Sequence, residues 1–238
     1  SMTKPIVSVA TMNMVEDGLI AIEDPVSKYI PEFANMNIID EESGAITAAK
    51  NQMTVQDLLT HESGLIYGTF DPQSVLGQQY LNAGSVRFDI TALELAKTLA
   101  ALPLRFEPGT KWHYSRSTDV LGAVIEVAAG KSLDLLLKER IFDPLGMDET
   151  TFYVDASKAD RLANPIHGDM ADPLDVQPML SGGGGLHSTT EDYVRFASML
   201  LNGGEYKGAR IISQNTLDAM NQKFIGDDIN RDAFFFGP

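Results

Sequence analysis

The 238-residue sequence contains no cysteine. That excludes thiol nucleophiles, disulfides and thiolate metal sites together. Cationic side chains are scarce, with 18 Lys+Arg against 33 Asp+Glu and a formal charge of −15. Such a surface repels nucleic acid and anionic lipid, so neither a nucleic acid nor a membrane is expected as partner. No apolar run reaches the length that crosses a bilayer. Only four histidines occur, and His61, His113, His167 and His187 stand singly, without metal-ligand spacing, so no metal or other cofactor is expected. There is no G-x-S-x-G elbow, which removes the α/β-hydrolase type of Ser-His-Asp triad.

The remainder is ordinary globular material, 44% apolar and 21% charged, enough for a sizeable core. Both a reducing cytosol and a disulfide-free secreted setting fit the lack of cysteine, and the reading leans to the cytoplasm. No signal peptide is seen. The chain opens on a motif with no initiator Met, so its natural start is expected to lie further upstream. Oligomeric state is not readable.

The pattern is mainly helical. Ile6, Val9, Ala10 and Val15 recur at helical spacing from Met2 to about Asp17, with Gly18 as the stop. Asp24-Pro25-Val26 begins a short helix that Pro31 closes, and Thr54 caps another through Leu59. Asp89 or Thr91 caps a helix to about Ala101. Pro108-Gly109 makes a turn, after which Lys111 to Tyr114 read as extended. Helices follow over Asp119–Ala129, ended by Gly130, and over Leu133–Ile141, capped by Ser132. Ser188-Thr189-Thr190-Glu191 reads as a capping box for a helix to Leu201, and Ser213 caps one more to about Asn221. Pro165 to Gly185 is loop-rich. No convincing strand and no internal repeat is seen.

Chemistry is concentrated in two short motifs. Ser1-Met2-Thr3-Lys4 is S-x-x-K at a helix start, where positions i and i+3 share a face. A serine hydroxyl needs a neighbouring base, and a lysine taken out of water in a cleft can serve as one. The helix N-terminus adds N–H groups and partial positive charge suited to an oxyanion. The bland alternative is a capping serine with a solvated lysine, or a cloning scar at Ser1-Met2. Tyr114-Ser115-Arg116 lies between a turn and a helix start, where a phenol near an ammonium can relay a proton. The plain alternative is a half-buried tyrosine with a satisfied hydroxyl.

Five ordered blocks carry a family resemblance. They are SMTKPIVSVA with DGLIAIEDPVSKYIPEF, MTVQDLLTHESGL, FEPGTKWHYS leading into DVLGAVIEVAAGKSL, IFDPLGMDETTF, and GGGGLHSTTEDYVRFASMLLNGG. The chain resembles the serine beta-lactamase-like superfamily, specifically the class C-related carboxylesterases often called family VIII. The resemblance implies an α+β, beta-lactamase-like fold, with residues 1–238 as the helix-rich part of one serine hydrolase domain. It also implies Ser1 as the acylated nucleophile, with Lys4 and Tyr114 as its proton-handling partners, and a small carboxylic ester as substrate. Beta-lactamase, D-amino-acid peptidase and acyltransferase chemistry would use the same site. A non-catalytic binding protein on this fold is the alternative of another class, and the intact Ser1, Lys4 and Tyr114 set argues against it.

Two departures from the family pattern bear on this. Arg116 stands where lactam hydrolases usually carry Asn, which leans towards an esterase and makes Arg116 a candidate for a substrate carboxylate. The family's N-terminal strands, and the C-terminal strands with a K-T-G, W-x-G or H-x-G motif and one oxyanion donor, are not found. The chain therefore reads as part of a larger enzyme. Trp112 is a candidate pocket wall, and Gly184, within a glycine run whose simplest role is flexibility beside a cleft, a candidate substrate contact. His61 is expected to pack or to stabilise a turn.

Overall fold

The computed structural model describes residues 1–163 and 172–226. His167 and the closing Phe234 to Pro238 lie outside the described residues, as does part of the loop-rich stretch after Pro165.

The first helix, α1 (Thr3–Glu16), buries Ile6, Val7, Val9, Ala10 and Met14. Two 3-10 turns follow, Val26–Lys28 and Pro31–Asn35. Pro31 was expected to close a helix but instead opens the second turn, where its missing N–H has no role. Two short strands, β1 (Asn37–Ile39) and β2 (Ile46–Ala48), then pair antiparallel with Ile38 opposite Thr47.

Thr54 caps α2 (Val55–Thr60) in a full capping box with Asp57. An unanticipated helix, α3 (Val75–Asn82), follows, capped by Ser74. Its eight residues include a glycine, so its periodic signal is short and weak. Between the two candidate caps, Thr91 caps α4 (Ala92–Ala100) with Glu94 completing the box, while Asp89 pairs with Arg87.

The central element is α5 (Ser117–Ala129), ended by Gly130 at φ 63°. It is apolar nearly all round, with Val120, Leu121, Ala123, Val124 and Ile125 buried, as expected of a helix surrounded by others. It packs against α1, α2, α4 and α6 (Leu133–Leu137). Ser132 precedes α6 without a side-chain capping bond. The helix expected as far as Ile141 passes instead into a π turn over Lys138–Phe142 and a last short piece, α7 (Asp143–Leu145).

The expected Ser188–Glu191 box is shifted by one residue. Thr189 caps α8 (Thr190–Leu201) by accepting the Asp192 N–H, and the Asp192 carboxylate turns away to Glu149 N and Thr150 Oγ1. β3 (Glu205–Tyr206) and β4 (Ala209–Arg210) form a hairpin. Its turn residues Lys207 and Gly208 both have positive φ, at 47° and 86°, as a two-residue I′ turn demands. Ser213 caps α9 (Gln214–Met220) as the sequence predicts. Helix thus dominates, and among the described residues the strands form two two-stranded antiparallel sheets.

Candidate active site

α1 begins at Thr3, so Ser1 precedes the first turn and Lys4 lies within it. The Lys4 N–H closes the turn on the Ser1 carbonyl at 3.2 Å, which sets both side chains on one face. Tyr114 comes 113 positions later, on the segment that leads into α5. That segment is fixed from outside: the His113 N–H donates to the His61 carbonyl at 3.0 Å. The three candidate groups meet. Ser1 Oγ lies 2.5 Å from the Tyr114 hydroxyl and 3.4 Å from Lys4 Nζ. The Lys4 ammonium also stands 4.7 Å from the centre of the Tyr114 ring, within cation–π range.

Two contacts of Lys4 are not legible in the sequence. Its shortest hydrogen bond goes to the Gly183 carbonyl, at 2.5 Å, and another reaches the Tyr67 hydroxyl at 3.4 Å. Tyr67 also tilts against Tyr114, with ring centres 5.5 Å apart. Burial pushes the Tyr67 phenol well above its usual range, and the charge of Asp119 adds to this, so it is a neutral hydroxyl at working pH. Nothing in its sequence surroundings marked it, because its role depends wholly on tertiary approach.

His61 occupies the left-handed C-terminal position of α2, at φ 60°, and its ring lies 4.9 Å from that of Tyr114. Burial holds the imidazole neutral, with its pKa lowered to about 3, and the charge of Lys4 pushes the same way. Its Nδ1 meets Ser115 Oγ at 3.3 Å. From there a buried chain of hydroxyls runs from Ser115 to Ser117 (2.6 Å) and on to Ser63 (2.7 Å). Counting protons orders this chain. Ser63 Oγ accepts the Leu65 N–H and Ser115 Oγ accepts the Ser117 N–H. If each hydroxyl gives its one proton onward, Ser63 donates to Ser117, Ser117 to Ser115, and Ser115 to Nδ1 of a neutral His61. The reverse order leaves the Ser63 proton without an acceptor among the described residues. The chain therefore puts the His61 proton on Nε2.

Arg116 has a partner within the protein. It is 6% exposed, its Nη1 pairs with Asp119 Oδ2 at 3.1 Å, and its guanidinium lies over the Tyr67 ring at 4.8 Å. Sequence reasoning offered it to a substrate carboxylate; the structure pairs Nη1 with Asp119 and leaves Nε without a hydrogen-bond partner among the described residues. Trp112 is half-buried and packs edge-on against His61, with ring centres 6.3 Å apart. Gly184 is exposed beside Ser1, where an added Cβ would lie 4.0 Å from the Ser1 nitrogen.

The glycine run has a steric purpose at two positions. A Cβ on Gly182 would sit 2.4 Å from the Thr118 carbonyl oxygen, and one on Gly183 would sit 2.8 Å from Asp119 Oδ2. The loop lies so close to the first turn of α5 that only glycine fits. This close contact, and not the flexibility expected from the sequence, accounts for Gly182 and Gly183.

The chain is similar to known proteins along most of its length. A family model described as Beta-lactamase matches residues 1–233. The chain is 30% identical to Lovastatin esterase of Penicillium rubens, covering 96% of this chain and 59% of that protein. It is 34% identical to Esterase EstB of Burkholderia gladioli, covering 73% of this chain and 42% of that one. The solved structure of EstCE1, a hydrolase with promiscuous acyltransferase activity, superposes with a TM-score of 0.78 at 26% identity, covering 95% of this chain and 63% of the other. Proteins named as acyltransferases and as putative D-alanyl-D-alanine carboxypeptidases also match. The chain spans 59% or less of the length of these curated relatives.

Proposed function

The chain belongs to the beta-lactamase family, and from that premise we propose that it carries the acylation site of an enzyme that hydrolyses small carboxylic esters. The observation that carries this reading is the convergence of Ser1 Oγ, Lys4 Nζ and the Tyr114 hydroxyl, with the phenol at 2.5 Å and the amine at 3.4 Å from the serine. Ser1 Oγ attacks the ester carbonyl and gives up its proton. Tyr114 is the nearer acceptor and takes it, and geometry ranks before acidity in such an assignment. Tyr114 accepts the proton as the phenolate, whose negative charge the Lys4 ammonium over its ring stabilises until the proton arrives. The tetrahedral intermediate collapses as the alcohol leaves with that proton. Water then cleaves the acyl-enzyme by the same path in reverse.

Esterases among the relatives support an ester over a lactam, as does Arg116 at a position where lactam hydrolases usually carry Asn. The acyltransferases among the relatives favour a second reading, in which an alcohol or amine replaces water as the acyl acceptor. The test compares turnover of a short p-nitrophenyl ester with that of a chromogenic cephalosporin in the full-length protein, with and without an added alcohol. Ester turnover well above cephalosporin turnover is expected. No ester cleavage would overturn the proposal, and new ester formed from the alcohol would promote the second reading.

A further inference from the structure

We propose that Asp119 is a positioning residue for Lys4, acting through Gly183; this rests on the acylation site described above. Lys4 has three N–H donors to place. Two of its oxygen partners, Ser1 Oγ and Tyr67 OH, are at 3.4 Å, whereas the Gly183 carbonyl is at 2.5 Å. The position of the amine is therefore set mainly by one backbone carbonyl on a loop nearly 180 positions away.

That carbonyl is held by Asp119. The Gly183 N–H donates to Asp119 Oδ1 at 3.0 Å, and the Ser181 hydroxyl donates to the same oxygen at 2.5 Å. The other oxygen, Oδ2, takes the guanidinium of Arg116 at 3.1 Å. Asp119 itself is 1% exposed, and it sits in the first turn of the rigid central helix α5. The contacts of Gly182 and Gly183 with Thr118 and Asp119 close the joint sterically. One residue thus links the two ends: Gly183 gives its N–H to the carboxylate and its C=O to the catalytic amine. Loosening the first contact moves the second. Misplacing a catalytic group by about 1 Å costs on the order of a hundred-fold in rate, and the loss is expected in kcat.

The test uses one background, Arg116→Met, so that no variant leaves a buried cation unpaired. In it, Asp119→Asn keeps an oxygen for Ser181 and Gly183, and Asp119→Leu has a similar shape but no acceptor. The expected result for a p-nitrophenyl ester is that Asp119→Asn retains the Arg116→Met rate to within about three-fold. Asp119→Leu should lower kcat by about ten- to a hundred-fold, with KM within two-fold. Equal kcat in the two variants, or a loss expressed in KM, would overturn the role given to Asp119. Should the Leu variant not fold, Gly183→Ala displaces the carbonyl from the other side. It is expected to lower kcat to a similar extent at unchanged KM, and wild-type kcat there would again overturn it. Ser1→Ala is measured alongside. Turnover surviving that change removes the acyl-enzyme reading itself, whereas an inactive Ser1→Ala with equal kcat in both Asp119 variants removes only the inference about Asp119.

Discussion

The two helix starts that meet at the site are built in opposite ways. α1 begins with no side-chain cap on its first turn, Met2 standing at the cap position with helical φ and ψ. α5 begins in the interior, where Ser115, Arg116, Ser117, Thr118 and Asp119 are all buried. With Ser63 and Ser181, these make seven of the 14 buried polar or charged residues among those described. The groups that orient the partners of the proposed nucleophile are therefore placed where water cannot reach. Buried polar groups are costly unless each finds a partner, so a cluster of this density, nearly all of it paired, fixes geometry more firmly than an apolar core of equal size.

The largest expected effect falls at the junction of the two starts. Tyr114→Phe removes the hydroxyl that touches Ser1 and should lower kcat for an ester by about 10²- to 10⁴-fold, with little change in melting temperature. A melting temperature that falls in step with activity would mean that Tyr114 belongs to the packing of α5 and not to the chemistry.

Next come two changes on the buried side. Gly182→Ala drives a methyl group into the Thr118 carbonyl and should cost about 1–3 kcal/mol by overpacking. Ser117→Ala breaks the hydroxyl chain in its middle, leaves the Ser63 proton without its acceptor, and should cost about 1–3 kcal/mol. Either shows as a fall of about 2–4 °C in melting temperature per kcal/mol. An unaffected melting temperature in Ser117→Ala would mean that the chain does not hold the α5 start in place.

A smaller effect concerns His61. Burial lowers its pKa from the ordinary 6.5 to about 3, so the folded state resists protonation that the unfolded state accepts. Its contribution to stability is complete above pH 6.5 and is lost as the pH falls towards 3. His61→Asn, a residue that tolerates the left-handed backbone there, should flatten the dependence of melting temperature on pH between about 6.5 and 4. An unchanged slope would show that the imidazole titrates normally.

The smallest effect is at the start of α1. Met2→Ser supplies a good capping residue, but Met2 has helical φ and ψ of −69° and −10°, whereas a capping side chain works from an extended backbone. Stability should change by less than about 0.5 kcal/mol, and the gain of about 1 kcal/mol typical of a true cap would show that the α1 start can be re-formed.

The same contrast explains what the sequence made legible. Ser1 and Lys4 could be paired because three positions on a helix are neighbours by local geometry alone. Tyr114 was reached only through its motif, since nothing local ties residue 114 to residue 1. Tyr67, Asp119 and the steric role of Gly182 and Gly183 were not seen, because each depends on a loop and a helix meeting in three dimensions. The helix boundaries at Thr54, Thr91, Ser213 and Gly130 were readable for the same local reason. The hairpins were not, their strands being only two or three residues long, and the one-residue shift at Thr189 followed from a tertiary demand on Asp192.

The claim on which all of this depends is that Ser1 Oγ is the atom that becomes acylated, with Tyr114 as its nearest proton acceptor. Peptide mapping by mass spectrometry after treatment of the full-length protein with a fluorophosphonate measures this directly. A single adduct on the Ser1 peptide is expected, with labelling much slower in Tyr114→Phe. An unlabelled Ser1, or a Ser1 labelled equally fast in Tyr114→Phe, would contradict the account.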